Sequence, residues 1–279
     1  MTLADVTPLL ITYNEEANLE RTLAALSWAR RLVVVDSGST DATLALARQF
    51  PNVRVLERPF DTFAGQCNFG LAQLDSEWAL SLDADYLLTE ELATELRALT
   101  PGADEAGFTT GFRYCVNGRP LRGTLYPPRT VLFRRARARY VDDGHAHRVV
   151  VDGGVRPLRG LIWHDDRKPL SHWVRAQDRY AKQEAEKLMA HRDEGLSFND
   201  RVRKTIVLGP PAAFLYTLLV KGVCLDGWAG WHYAFQRALA ETLLSLRLIE
   251  TKWAARVAQV PNSISPPGGE RSEEHTSEL

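Results

Sequence analysis

The sequence predicts an α/β fold built on a mostly parallel sheet with flanking helices, and three observations predict it. Short apolar runs rich in β-branched residues, at 6–12, 32–35, 53–57 and from Trp78, alternate with segments of helical periodicity at the pitch of βαβ units. Each run breaks off into a polar loop, and in a parallel arrangement every such loop opens on the same edge of the sheet, where α/β proteins place their ligands. Beyond about residue 165 the strand pattern gives way to helices. With 279 residues, the chain is expected to form a sheet domain over 1–165, a helical appendage over 166–260 and a disordered tail over 261–279.

Residues 6–12 read as a buried strand, followed by the loop Tyr13-Asn14-Glu15-Glu16. A helix over 17–29 places Leu19, Leu23 and Leu26 on one face. The continuous run Leu32-Val33-Val34-Val35 has the pattern of a central parallel strand, and it ends in Asp36-Ser37-Gly38-Ser39-Thr40-Asp41, too polar for a core. A helix over 42–49, a strand over 53–57 and a helix over 65–74 follow. The next strand, from Trp78, stops abruptly in Leu82-Asp83-Ala84-Asp85-Tyr86. A helix over 89–99, a strand over 107–114, the hairpin signal Asn117-Gly118, the extended loop Leu125-Tyr126-Pro127-Pro128 and a strand over 130–133 complete the sheet region. A long amphipathic helix over 171–191 then opens the appendage, with Asp178 and Lys182 as a supporting pair one turn apart.

Glu15, Asp36, Asp83 and Asp85 all fall in loops after strands, so the topology brings them to one edge. Singly, each has a plainer reading: Asp36, Ser39 or Thr40 can cap a helix, Glu15 and Glu16 can complement a helix dipole, and Asp is common where strands stop. Gathered together, four carboxylates repel unless a cation or the donors of a ligand offset them. Asp83 and Asp85, one residue apart at a strand end, suit a hard divalent cation such as Mg²⁺, whose remaining positions a diphosphate can fill. A net charge of -1 argues against a nucleic-acid partner, and three cysteines without metal or disulfide spacing point to a reducing compartment. The amino terminus has no signal-peptide pattern, so the sheet domain is expected in the cytoplasm.

The stretches Ile11-Thr12-Tyr13-Asn14-Glu15-Glu16, Val34-Val35-Asp36-Ser37-Gly38-Ser39-Thr40-Asp41 and Leu82-Asp83-Ala84-Asp85 together resemble the inverting family 2 glycosyltransferases of GT-A fold, of the bacterial lipopolysaccharide-core and polysaccharide type. The resemblance is specific over roughly the first hundred residues. It implies transfer of a sugar from a nucleoside diphosphate donor, a UDP-sugar above others, to a hydroxyl of a glycolipid or polysaccharide. Thr12, Tyr13, Glu15, Asp36, Ser37, Gly38 and Asp83 would then line the nucleotide site, with Asp36 toward the base, while Asp83 and Asp85 would hold Mg²⁺ or Mn²⁺. Tyr86 departs from the pattern, standing where many relatives have another acidic residue.

Such a transfer needs a base for the acceptor hydroxyl. The loop Tyr140-Val141-Asp142-Asp143-Gly144-His145-Ala146-His147 offers Asp143 as that base and His145 as a metal or phosphate contact; His145 can also be the base, and a turn with surface histidines is the plainer reading. Arg122, Arg129, Arg134, Arg135, Arg137 and Arg139 read either as a solvated basic face or as holding one or two phosphate ligands. His164 and Asp165 end an apolar run and can either close a strand or reach the acceptor.

From Val207 to Val220 there are 14 residues without a charge, broken at Gly209-Pro210-Pro211 and too few to span a bilayer. With Arg201, Arg203, Lys204 and Lys221 and the aromatics that follow, this region reads either as helices lying on the inner face of the cytoplasmic membrane or as helices packed on the sheet domain or a second subunit. Residues 271–279 resemble the translation of a sequencing adapter. A dinucleotide-dependent oxidoreductase is excluded for want of a glycine fingerprint after the first strand. A catalytically inactive membrane-associated assembly protein on the same fold is the alternative to the transferase.

Overall fold

The structure is a computed structural model that describes residues 5–143, 146–190 and 197–258. Its centre is β1 (Val6–Thr12), flanked in parallel by β2 (Leu32–Asp36) and β4 (Trp78–Asp83), with β3 (Val53–Glu57) parallel outside β2. Helices α1 (Leu19–Ala25), α2 (Thr43–Ala47) and α3 (Phe63–Ala72) make the crossovers. The unbroken apolar runs follow from burial on both faces. Leu10, Val34, Leu80 and Leu82 enter one core cluster with Leu19, Leu23 and Leu26, while Leu9, Val33 and Val35 enter the other with Cys67 and Leu71. Helix α1 ends earlier than its periodicity predicts. Asn52 donates from Nδ2 to the Ala29 carbonyl at 2.9 Å and accepts from the Leu32 amide at 2.9 Å, drawing the chain out of the helix into β2.

The second half of the sheet is mixed. β6 (Glu105–Val116) and β11 (Gly154–His164) pair in parallel, and the antiparallel β8 (Arg129–Arg134) joins them to β4, while the short β7 (Arg119–Pro120) turns back on β6. After Asp85 the short β5 (Tyr86–Leu88) runs antiparallel to β11 at the far end of the strand order β3-β2-β1-β4-β8-β6-β11-β5. Two residues thus lead from β4 to a strand four places away in the sheet. β4 is paired with β8 only through Trp78–Leu80, so the sheet splays and curls where Asp83 emerges. Helix α4 (Glu90–Ala98) covers β11, and a separate hairpin of β9 (Ala138–Asp143) and β10 (Ala146–Val151) packs on α3.

In the appendage, α5 (Leu170–Ala190) packs along α8 (Trp228–Ala258) through Ala181, Ala185, Leu188, Leu244 and Leu248. Asp178 does not pair with Lys182 as the helical spacing predicts. Instead it takes a two-pronged bond from Arg247 of α8, whose Nε and Nη2 donate to Oδ1 and Oδ2 at 2.9 and 2.7 Å, because the guanidinium fork matches a carboxylate better than an ammonium does. The shorter α6 (Phe198–Lys204) and α7 (Gly209–Leu215) lie against α8. No described helix is long and apolar enough to cross a membrane.

Candidate active site

The strand register brings the predicted carboxylates to one level of the edge: Thr12 lies opposite Asp36, and Ile11 opposite Asp83. Asp36 is fully buried, and the loop after it wraps its carboxylate. Oδ1 accepts from the Gly38 and Ser39 amides at 2.9 and 2.8 Å; Oδ2 accepts from the Thr12 and Ser39 hydroxyls at 2.9 and 2.6 Å. The tight wrap uses a left-handed residue at Gly38, φ +91°, where a side chain would be strained. Asn14 is also left-handed, φ 53°, which asparagine tolerates; its amide donates to Ser39 Oγ at 2.8 Å and its Oδ1 accepts from the Thr40 amide at 2.8 Å. The Glu15 amide donates to Thr43 Oγ1 at 2.7 Å. The loops after β1 and β2 thus form one interlocked cradle. In it Asp36 shapes the floor, and Tyr13, more than half exposed, stands at the surface.

The Asp83-Ala84-Asp85 turn is pinned from two sides. Thr22 Oγ1 donates to the Ala84 carbonyl at 2.6 Å, and the Asp165 amide donates to the Asp85 carbonyl at 3.0 Å. The Asp85 carboxylate meets His164 Nε2 at 2.9 Å. Burial works against a charged imidazole there, but Asp85 outweighs it and raises the His164 pKa. Tyr86, Tyr114 and Tyr126 surround the ring, with centroids 5.3, 5.2 and 4.9 Å away, and the Tyr86 and Tyr126 hydroxyls bond each other. His164 Nδ1 is buried with no partner among the described residues. Arg129, of the basic run, lies over Tyr126 at 4.7 Å and interacts with Asp83; Arg134 stacks on Trp78 instead, at 4.6 Å.

Glu15 points away from the cradle into a second group of charges. Its carboxylate pairs with Lys168 and accepts from Asn18 Nδ2 at 3.0 Å, and the same Nδ2 donates to Asp166 at 2.9 Å. Burial pushes the Glu15 carboxyl up to about 7 against the pull of Lys168, whose own pKa the pairing raises. Behind them, buried Asp165 takes Arg21 at 2.6 Å and Arg167 at 2.8 Å. A cavity of about 270 Å³ opens beside this group, between the end of β6, the segment 166–169 and helices α5 and α8, and Tyr114, Lys168, Trp173, His232 and Gln236 line it. Gln236 is buried, and its Oε1 has no partner among the described residues.

Of the candidates on the β9–β10 hairpin, His145 and the Asp143 side chain lie outside the described residues. The backbone pairs Asp143 with Ala146. Asp142, one residue earlier, accepts from the Ala64 amide at 3.3 Å, and the carboxylates of both Asp142 and Asp83 add to burial in raising the pKa of the Cys67 thiol.

The model of the family described as "Glycosyl transferase family 2" matches residues 9–151, just over half of the chain. The chain belongs to glycosyl transferase family 2. It is a glycosyltransferase with the GT-A fold, and the match spans Thr12, Glu15, Asp36, Asp83 and Asp85 but stops short of His164 and Lys168. The lipopolysaccharide core biosynthesis glycosyltransferase LpsC of Rhizobium meliloti is 28% identical over 256 residues, 86% of this chain and 90% of that protein. A glycosyltransferase of Rickettsia felis is 34% identical over 92 residues, 33% of this chain and 32% of its own length. Among solved structures, Staphylococcus aureus TarS 1–349 in complex with UDP-GlcNAc is 15% identical with a TM-score of 0.46, over 94% of this chain and 93% of that one. At that score the likeness bears no weight here.

Sequence reasoning missed Asn18, Arg21, Lys168 and Gln236, which sit at the start of or within helices or after the last strand without a motif. A signal existed only for Lys168, in the charged run Asp165-Asp166-Arg167-Lys168. His164, which reads from sequence either as a strand end or as reaching the acceptor, is set on Asp85.

Proposed function

We propose that this glycosyltransferase transfers a sugar from a nucleoside diphosphate donor, a UDP-sugar above others, to a hydroxyl of a glycolipid or polysaccharide acceptor, with inversion at the anomeric carbon. The observation behind the reading is the junction of the cradle around Asp36 with the pinned Asp83-Ala84-Asp85 turn on one sheet edge. The cradle suits the nucleoside, and the turn suits the diphosphate. The name of LpsC, a relative over most of the chain, favours a lipopolysaccharide-core acceptor, hence work at the inner face of the cytoplasmic membrane.

The residues present fit a divalent cation. Asp83 and Asp85 offer carboxylate oxygens, which suit Mn²⁺ or Mg²⁺, and the His164 imidazole on Asp85 would orient one of them. Among the described residues no three carboxylate, imidazole or thiol groups converge into a self-sufficient site, so the diphosphate would supply the remaining ligands. When bound, the cation offsets the charge that develops on the departing diphosphate. Arg129, beside Asp83, adds a fixed positive charge on the same side.

The acceptor sugar would enter from the cavity. Tyr114 and Trp173 offer ring faces and Gln236 offers an amide, and Tyr114 lies against His164 and so next to Asp85. Asp143 would take the proton of the attacking hydroxyl, with His145 close to it in sequence; the charges of Asp142 and Asp83 both act on Cys67, which supports the hairpin's reaching the reacting centre. The test is transfer to rough lipopolysaccharide with UDP-, GDP- and dTDP-sugars in Mn²⁺ or EDTA. Product of inverted configuration, formed only with metal, supports the reading. Retained configuration, or full activity in EDTA, refutes the respective part.

A further inference from the structure

Between α7 and α8 the chain buries one side and leaves the other bare. Leu218, Val223, Tyr233 and Ala234 pack with Leu121 into a small core. Val207, Leu215, Leu219, Val220, Leu225 and Trp228 face outward, Trp228 at 86% and Val220 at 69% exposure. Single exposed apolar residues are ordinary, but a run of them on one ridge marks a surface meant to be covered.

The ridge is held in this position. Buried Asp226 accepts from the Arg122 amide at 2.8 Å and pairs with its guanidinium, and the Leu125 amide donates to Tyr233 Oη at 3.0 Å. Gly123 passes so close that a Cβ would lie 2.4 Å from the Lys221 carbonyl oxygen. The outward side chains therefore cannot fold back into their own core.

Charge selects the partner. Between residues 201 and 240 the chain has five Lys or Arg and one acidic residue, the buried Asp226. Arg203 is taken up by Glu184, Asp200 and Glu241; the others are Arg201, Lys204, Lys221 and Arg237. Lys221, on the ridge itself, holds its ammonium 5.7 Å over the Tyr216 ring. Apolar side chains with tryptophan at the tip and cations beside them suit the boundary between acyl chains and anionic headgroups. A second copy fits worse, since a twofold contact would set these cations against their own images.

We infer that the ridge from Val207 to Trp228 docks the enzyme on an anionic lipid bilayer, lying in the interface without crossing it. Trp228 and His232 are one helical turn apart on α8, and His232 lines the cavity, so docking would bring the cavity mouth to the membrane surface. That orientation rests on the acceptor reading above; the docking does not.

The full chain would be sedimented with vesicles of phosphatidylcholine and phosphatidylglycerol at 7:3, with vesicles of phosphatidylcholine alone, and without lipid. We expect binding to the anionic vesicles that weakens with salt, and a partition coefficient about a hundredfold lower in the variant combining Leu219→Ser, Val220→Ser, Leu225→Ser and Trp228→Ser. Should that variant lose its cooperative thermal transition, Trp228→Ser alone is expected to lower partition about fivefold. Wild-type protein left in the supernatant, or undiminished binding by the folded variants, would overturn the proposal. So would a dimer without lipid, seen by sedimentation velocity, that the substitutions dissolve. Donor binding, measured separately, tells failure of the transferase reading from failure of docking.

Discussion

Asp85 is held at three points: its carboxylate by His164, its backbone oxygen by Asp165, and its neighbour Ala84 by Thr22. We propose that His164 orients Asp85 toward a bound cation. His164→Ala is expected to weaken Mn²⁺ affinity and metal-dependent donor hydrolysis about 10- to 100-fold, read by calorimetric titration and initial rates. Glu15 is a residue whose protonation bears on stability. Its carboxyl has a pKa of about 7 in the fold against an ordinary 4.5, so the folded state holds a proton that the unfolded chain releases between those values. The wild-type chain therefore loses stability as pH rises from 4.5 to about 7, and Glu15→Gln lacks that loss. In thermal melts, the wild-type Tm minus the Glu15→Gln Tm should fall across this window and level off above it. A flat difference would show that Lys168 cancels the burial of Glu15.

At the scale of elements, the strands and their loops were legible because burial on both faces leaves an unbroken apolar run, and an abrupt polar exit marks its end. Val6–Thr12, Leu32–Asp36 and Trp78–Asp83 follow this rule, and so the edge with Asp36, Asp83 and Asp85 could be read in advance. The contact of His164 with Asp85 could not, because it requires the three-residue β5 to pair with β11 across more than seventy residues of chain, and no local pattern encodes that register. Asp36 was legible as a carboxylate at the sheet edge, but not its enclosure, which depends on a glycine turn and on a hydroxyl from a neighbouring strand. The cavity between β6, α5 and α8 was likewise invisible, being assembled from three distant segments. There, Gln236→Leu is expected to raise the acceptor KM about tenfold with a much smaller change in donor KM, as loss of a buried polar contact should. In the core of the sheet, Leu80→Ala should cost roughly 2–5 kcal/mol in denaturant unfolding, since Leu80 is wholly buried.

For the whole molecule, the sequence suggests a boundary near residue 165, and we propose that the parts on either side nonetheless unfold together. Leu121 of the sheet region shares a core with Leu218, Val223 and Tyr233, and Lys168 and Asp166 of the junction bond Glu15 and Asn18 next to the cradle. A single calorimetric transition is expected, and two resolved transitions would show independent domains. The most direct test is binding of a UDP-sugar to the full chain with and without Mn²⁺, in wild type and in the Asp83→Ala, Asp85→Ala double variant. The expected result is metal-dependent binding that the double variant loses while its melting transition stays cooperative. Equal binding by wild type and double variant, or binding indifferent to the metal, would contradict a donor site built on the Asp83-Ala84-Asp85 turn.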